Sequence, residues 1–410
     1  MSAGRLVVMG SGETAPTMVE VHRATLKAAG DGPSVLLDTP YGFQENADDI
    51  TTKAVAYFRA SVGRTVTPLG WRRRLVGADL DRALTTVRTA RSVFAGPGSP
   101  TYALRVWEGS GFVEAVSAVV ASGGTATFAS AAALTLGVVT VPVYEVYKCG
   151  QEPAWVEGTN LLELLTGLRA AVVPHYDNAE GGTHSTNFCY LGERRLRLLE
   201  SSLPDGAHVL GVDEHTALVL DLATRTATVL GNGGVTVRHD GVSRVLPSGS
   251  TVPFEELAAR SGGSAPPSAP AAQVQDAEAA LPSSLRADVD AARQRFDGAL
   301  EARDADAAAA AVLEVEQALT DWSADTLDSA DADHARRTLR GMVLELAAAA
   351  RDGLADPAER IAPLVEALLS VRASARAAKD FATSDQVRDQ LAAAGVEVRD
   401  SPGGAEWVLA

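Results

Sequence analysis

The sequence predicts an α/β fold, with a mostly parallel sheet flanked by helices, followed by a separate α-helical bundle. Short apolar runs alternate with helical patterns over residues 5–207, which is typical of βαβ units. A stretch of Ser, Pro, Ala and Gly over 261–280 has no apolar periodicity, as in linkers. Beyond it the chain is rich in Ala, Leu, Arg and Asp at helical spacing.

The elements follow in chain order from these patterns. Apolar, β-prone runs predict buried strands at Arg5–Met9, Ser34–Asp38, Arg64–Pro68, Ser92–Ala95, Thr125–Phe128 and Ala170–Pro174. The segments between them predict helices, among them Thr17–Ala29, Ala47–Val62 and Ala78–Thr89. From His208 onward strands alternate with turns, which predicts a β-meander that closes the domain. In the last region one apolar stripe predicts a packed helix; it consists of Ile361, Leu364, Val365, Leu368 and Val371.

Length and composition bound the domain organisation. A chain of 410 residues exceeds one ordinary domain. We expect an α/β domain over 1–255, a linker over 256–280 and a helical domain over 281–410. The net charge is −16, and the last 130 residues carry 14 basic against 24 acidic residues, a net charge of −10. Such acidity disfavours non-specific binding to nucleic-acid backbones or anionic membranes.

Other sequence features indicate a cytoplasmic protein without membrane spans. No apolar run reaches the roughly 18–20 residues that cross a bilayer, and no signal-peptide pattern opens the chain. The two cysteines, Cys149 and Cys189, argue against a disulfide scaffold and a structural zinc site. We expect no cofactor and no bound metal, because the spacing of His175, Asp177, Glu180 and His184 is not that of a specific metal motif.

A serine after the fifth predicted strand is a candidate nucleophile. Ser130 stands between the β-prone run TATFA and three alanines, the outline of a strand–turn–helix nucleophile elbow. The simpler interpretation is a helix N-cap. The motif departs from G-x-S-x-G, since Phe128 and Ala132 occupy the glycine positions. One strand–helix repeat earlier, the turn Gly96-Pro97-Gly98 stands where such folds supply backbone N–H donors to an oxyanion.

A candidate base and a candidate acid follow Ser130 along the chain. His175 stands at the end of a predicted strand, where α/β folds place ligands, and His184 follows in a Gly-rich loop as an alternative base. The segment GVDEHTALVL offers Asp213 and Glu214 in one hairpin, and either carboxylate could orient an imidazole.

Seven motifs carry a resemblance to a known family. They are Gly10-Ser11-Gly12, FAGPGSPTYAL (94–104), ASAAALTLG (129–137), His175-Tyr176, GERRLRLLE (192–200), GVDEHTA (211–217) and VLGNGGVTV (229–237). With them the region 1–250 resembles the peptidase S51 group, the cyanophycinase and aspartyl dipeptidase relatives within the class I glutamine-amidotransferase-like fold.

The resemblance implies roles for particular residues. It makes Ser130 the nucleophile, His175 the base and Glu214 the orienting acid, with the backbone at Gly98 and Ser99 as the oxyanion hole. The loop DNAEGGTHSTNFCYLGE departs from the family, so specificity does not carry over. The expected substrate-binding residues are Gly12, Asn178, Glu180, His184 and Arg194. Glu145, Tyr147 and Lys148, which follow the elbow helix, are further candidates for lining the pocket.

The C-terminal region carries a second resemblance. Residues matching in order are Arg372, Arg376, Lys379, Asp380, Phe381, Asp385, Arg388, Leu391, Gly395, Asp400 and Trp407. This pattern is similar to the C-terminal end of cysteinyl-tRNA synthetases, and the helices over 286–370 resemble the anticodon-binding bundle of that family more loosely, so the resemblance covers about 281–410. It implies tRNA binding. The acidic charge instead favours a helical module for packing, oligomerisation or a protein partner.

Together these features predict a serine hydrolase that cleaves a peptide, isopeptide or other amide bond through an acyl-enzyme. We expect a small peptide or amide substrate and a homo-oligomer. Two alternatives stay open. One is a non-catalytic binding protein on the same scaffold, and the other is a tRNA-associated factor acting through the C-terminal unit.

Overall fold

The protein consists of two compact units. The computed structural model describes residues 3–179, 185–259, 284–322, 329–352, 357–401 and 404–409. The first unit comprises 1–283 together with 321–328, and the second comprises 284–320 and 329–410. In the described residues no helix is long and apolar enough to cross a membrane.

The first unit alternates strands and helices along most of its length. Its strands are β1 (Arg5–Met9), β2 (Ser34–Leu37), β3 (Thr67–Pro68), β4 (Ser92–Ala95), β5 (Thr125–Ala129), β6 (Val139–Thr140), β7 (Val156–Glu157), β8 (Ala170–Val173), β9 (His208–Val212), β10 (Thr216–Asp221), β11 (Thr226–Gly231), β12 (Gly234–His239), β13 (Val242–Pro247) and β14 (Thr251–Pro253). Its helices are α1 (Val19–Ala29), α2 (Ala47–Tyr57), α3 (Gly77–Thr89), α4 (Pro100–Trp107), α5 (Phe112–Ala121), α6 (Ala131–Leu134), α7 (Val143–Tyr147), α8 (Leu161–Thr166), α9 (Gly192–Glu200) and α10 (Phe254–Ala258).

An eight-stranded sheet forms the centre of this unit, in the order β14-β11-β10-β1-β5-β4-β2-β3. The five strands from β1 to β3 in that order are parallel, and β10, β11 and β14 extend the sheet in antiparallel fashion. Every residue of β2, β4 and β5 is buried, since helices cover both faces of a parallel sheet. The predicted α/β class with a mostly parallel sheet is confirmed.

The strands after His208 do not form one meander, as the sequence had suggested. β9 and β12 pair with each other in a second sheet of order β13-β12-β9-β8, whereas β10 and β11 belong to the large sheet. The chain therefore passes from one sheet to the other between Val212 and Thr216. Alternating apolar residues predict that a strand exists but not which partner it takes, because pairing depends on the neighbouring layers.

The second unit is mainly helical and ends in a β-hairpin. It contains α11 (Leu285–Glu301), α12 (Ala305–Asp321), α13 (Ser329–Asp352), α14 (Pro357–Ala377), α15 (Phe381–Ala393), β15 (Val396–Ser401) and β16 (Gly404–Leu409). The hairpin was not predicted as strands. Of the predicted apolar stripe on α14, Val365 is buried against Val387 and Leu391 of α15, while Leu364, Leu368 and Val371 are exposed.

Candidate active site

A strained turn places Ser130 between β5 and α6. Its backbone has φ 51° and ψ −122°, a conformation that costs a residue with a Cβ about 1–3 kcal/mol. The Ser130 N–H donates to the Met9 carbonyl of β1 at 3.2 Å, which ties the turn to the centre of the large sheet. The turn therefore has the geometry of a nucleophile elbow, and Ser130 makes no side-chain cap to α6.

The two departures from the G-x-S-x-G pattern are explained by the direction of the side chains. Phe128 is fully buried in the core, edge-on to Phe112, and so does not crowd the turn. Ala132 is also fully buried, and its N–H donates to the Gly96 carbonyl at 3.2 Å. A glycine is thus not required at either position.

Ser130, His175 and Glu214 lie in one hydrogen-bonded chain. Ser130 Oγ is 2.9 Å from His175 Nε2, and His175 Nδ1 is 2.8 Å from Glu214 Oε1. Ser130 and His175 are buried, with 7% and 3% of their surface exposed. This arrangement lets the imidazole accept a proton from the hydroxyl while the carboxylate stabilises the charged ring.

Two residues just after His175 hold Glu214 in place. The Asn178 side-chain amide donates to Glu214 Oε1 at 3.0 Å, and the Asp177 carboxylate accepts the Glu214 backbone N–H at 2.7 Å. Burial alone would raise the pKa of the Glu214 carboxyl, but the hydrogen bond and charge of His175, with the Asn178 amide, lower it overall. Glu214 is therefore held ionised beside the imidazole.

The pKa values of two neighbouring carboxyls shift upward, opposite to that of Glu214. Burial raises the pKa of Asp213 to about 6, and the charge of Asp177 adds to this effect. Burial likewise raises the pKa of Asp177. Asp213 instead accepts the Gly234 N–H at 2.8 Å, so of the two acids that the sequence left open, the structure places Glu214 against the imidazole.

The turn after β4 supplies a candidate oxyanion donor at Gly98. Gly98 has φ 135°, and a Cβ there would meet the carbonyl carbon of Pro40 at 2.2 Å, so the position requires glycine. The Ser99 N–H donates to the Pro40 carbonyl, and Ser99 Oγ caps α4 by accepting from the Tyr102 N–H. This differs from the expectation, because the Ser99 amide is already engaged. Within the described chain, the N–H groups of Gly98 and Ala131 form no hydrogen bond.

The residues expected to bind substrate are distributed differently. Asn178 contacts Glu214, as described above. Gly12 packs against the ring of His215. A Cβ added at Gly12 would lie 2.1 Å from His215 Nδ1. Arg194 is exposed on α9. Glu180 and His184 lie outside the described residues. The prediction of His184 as an alternative base therefore falls outside them too.

A left-handed turn beside His175 was missed by the sequence analysis. Phe188, Cys189 and Tyr190 have φ values of 61°, 54° and 64°, an uncommon run for residues other than glycine. The Cys189 N–H donates to the His175 carbonyl at 3.0 Å, and the Tyr190 ring centroid lies 6.3 Å from that of His175. Burial raises the pKa of the Cys189 thiol to about 12. No turn signal in the sequence marks these residues.

Comparison with known proteins gives two separate similarities. Residues 359–407 match the family of the cysteinyl-tRNA ligase anticodon binding domain. The cysteine–tRNA ligase of Arthrobacter sp. (strain FB24) is 58% identical over 65 residues, which are 16% of this chain and 13% of that protein. The ligase of Micrococcus luteus is 33% identical over 162 residues, 37% of this chain and 29% of that one.

The fold of the larger part of the chain is that of a solved peptidase structure. A peptidase from an acI-B1 Actinobacterium superposes with a TM-score of 0.51 and 21% identity, covering 62% of this chain and 98% of that one. The chain spans less than a third of the length of the ligases compared here. It therefore combines a peptidase-like fold with a C-terminal segment similar to the anticodon binding domain of cysteinyl-tRNA ligases.

Proposed function

We propose that the first unit is a serine hydrolase of the peptidase S51 type that cleaves a peptide or other amide bond through an acyl-enzyme. The observation that carries the proposal is the continuous chain from Ser130 Oγ through His175 to Glu214, with both contacts under 3 Å. The peptidase-like fold agrees with this chemistry.

In the proposed reaction Ser130 Oγ attacks the substrate carbonyl and His175 Nε2 takes the hydroxyl proton. This step requires the imidazole tautomer that carries its proton on Nδ1, which the hydrogen bond to the Glu214 carboxylate favours. The imidazolium then gives the proton to the leaving amine. Water attacks the acyl-enzyme in the second half, with His175 as the base, and the acid is released.

The negative oxygen of the tetrahedral intermediate needs donors placed in advance. The N–H groups of Gly98 and Ala131 are the best candidates, since they lie on the turn after β4 and on the residue after the nucleophile. A donor of this kind contributes about 10²–10³ in rate in well-studied hydrolases.

A fluorophosphonate probe tests the proposal directly. We expect covalent labelling of the full chain at Ser130 and none of Ser130→Ala, with Ser201→Ala, at an exposed serine after α9, as a control that keeps labelling. Labelling of His175→Gln should fall at least about a hundredfold, because the general base is lost. Equal labelling of wild type and Ser130→Ala would contradict the assignment and favour a non-catalytic binding protein on this scaffold.

We infer a second candidate function, binding of tRNA by the second unit, from the match over 359–407. Arg372 and Arg376 both donate to Asp400, at 2.7 and 2.8 Å, so their charges are already paired. We therefore rank RNA binding below a packing role. The proposal would be supported if the full chain binds tRNA at low salt and if the binding affinity falls steeply as the salt concentration rises. No retention at low salt would exclude it.

A further inference from the structure

Trp322 is a buried residue of the first unit that comes from late in the sequence. Residues 321–328 belong to the first unit, although in the sequence they join α12 to α13. Only 5% of the Trp322 surface is exposed. Its ring lies edge-to-face with that of His215, with 5.6 Å between the centroids and 72° between the planes, which is a favourable aromatic geometry. Trp322 thus packs against the turn that carries Glu214.

His215 directly follows Glu214 and has a backbone conformation that needs support. Its φ is 49°, in the left-handed region that residues with a Cβ rarely adopt. Such a conformation costs free energy and persists where the surrounding contacts fix it. Because the two residues share a peptide bond, a change in the backbone at His215 would move the Glu214 carboxylate relative to His175.

Contacts from several parts of the chain fix His215. Its ring Nδ1 lies 3.0 Å from Thr17 Oγ1, and the ring packs against Gly12, where an added Cβ would lie 2.1 Å from Nδ1. The His215 carbonyl accepts the Asn232 N–H at 2.9 Å. Trp322 adds an aromatic contact to the same ring. The conformation of the turn therefore depends in part on Trp322.

We propose that Trp322 is a positioning residue of the hydrolase, which holds the Glu214 carboxylate against His175 by packing on the ring of His215. This inference rests on the proposed hydrolase function. Trp322 acts through the turn and not on the substrate. It should therefore affect the rate at which Ser130 reacts and leave the binding of a reagent unchanged.

Labelling kinetics of the full chain with a fluorophosphonate test this inference. Two quantities are measured, the limiting rate of labelling at Ser130 and the reagent concentration that gives half of that rate. Trp322→Ala removes the ring, and Trp322→Phe keeps an aromatic ring for His215. Leu313→Ala is the control, because it removes an exposed apolar side chain from α12.

We expect the limiting rate to fall about three- to tenfold in Trp322→Ala, with an unchanged half-saturating concentration. Trp322→Phe should stay within about twofold of wild type, and Leu313→Ala should equal it. An unchanged rate in Trp322→Ala overturns the inference, while labelling of wild type still supports the hydrolase. No labelling of wild type overturns both.

A leucine variant keeps the test valid if alanine destabilises the protein. Trp322→Leu retains much of the buried volume but has no ring to face His215. It should label as slowly as we expect for Trp322→Ala. Labelling of Trp322→Leu at the wild-type rate would show that Trp322 only fills space, and the inference would be wrong.

A double-mutant cycle tests whether Trp322 acts through His215. His215→Asn removes the ring, and asparagine tolerates a positive φ. The variant with both His215→Asn and Trp322→Leu should label about as slowly as His215→Asn alone, because the contact is already lost. If the two effects instead multiply, Trp322 acts by another route and the inference is overturned.

Hydrogen exchange supplies a readout separate from labelling. In the turn, the Glu214 N–H donates to Asp177 and the Asp213 N–H to the Gly234 carbonyl. Exchange in a peptide covering 211–217 should become faster in Trp322→Leu, whereas exchange in β4 should not change. Slower labelling with unchanged exchange at this turn would contradict the positioning role.

Discussion

The Asn178 amide and the His175 ring share one oxygen of Glu214. Asn178 Nδ2 lies 3.0 Å from Glu214 Oε1, and His175 Nδ1 lies 2.8 Å from the same atom. Asn178 is fully buried, so water cannot replace its hydrogen bond. The residue was expected to bind substrate, and its observed partner indicates a positioning role for the acid instead.

Replacing Asn178 by Ala should slow fluorophosphonate labelling of Ser130 about tenfold, because Glu214 loses a donor that fixes it. The Asn178 hydrogen bond helps to lower the pKa of Glu214. Without it this pKa rises, so the acid limb of the labelling rate against pH should move to higher pH. A slower rate with an unmoved acid limb would indicate a merely structural effect.

Replacing Ser130 by Gly should abolish labelling and stabilise the first unit relative to Ser130→Ala. Ala keeps the strain of φ 51° and ψ −122°, whereas glycine tolerates it. We expect a difference of about 1 kcal/mol in the free energy of unfolding. Denaturant unfolding followed through the buried Trp71 and Trp107 measures it. Equal stabilities of the two variants would show that the elbow is not strained.

Replacing Gly98 by Ala should reduce both stability and labelling, since the new Cβ would meet the Pro40 carbonyl carbon at 2.2 Å and displace the turn. Gly109→Ala is the matched control, because Gly109 also has a positive φ, of 63°, but nothing within 4 Å of an added Cβ. We expect labelling to fall at least about a hundredfold in Gly98→Ala only. A similar loss in both variants would point to backbone strain and not to the oxyanion donor.

The part of the first unit's stability that depends on His208 should fall as the pH is lowered from 6.5 towards 4. Burial, and then the neighbouring His239, lower the pKa of His208 from 6.5 to about 4, and the two rings stack 4.6 Å apart. His208 is therefore neutral in the folded state and becomes protonated on unfolding. Its contribution is fully present above pH 6.5 and is lost by about pH 4.

The loss from His208 should be on the order of 3 kcal/mol across that range. Urea unfolding at several pH values checks this, with His208→Gln as the non-titrating comparison. The variant should be less sensitive between pH 6.5 and 4. Identical pH dependence in the two proteins would contradict the lowered pKa.

Local patterns in the sequence were sufficient for some of the elements of the first unit. Runs of mostly apolar residues gave β1 and β4 with the observed bounds, because a strand covered on both faces is apolar along most of its length. The helix predicted over Ala47–Val62 is α2 followed by a π-helical turn at Phe58–Val62. Helical periodicity does not distinguish the two forms of turn.

The sequence alone determined the fold class and the order in which Ser130, His175 and Glu214 occur along the chain. The tertiary structure decided the rest. It placed β9 and β10 in different sheets, oriented Phe128 into the core and turned Asn178 towards Glu214. Each of these outcomes depends on contacts between residues far apart in the chain, about which local propensity and spacing carry no information.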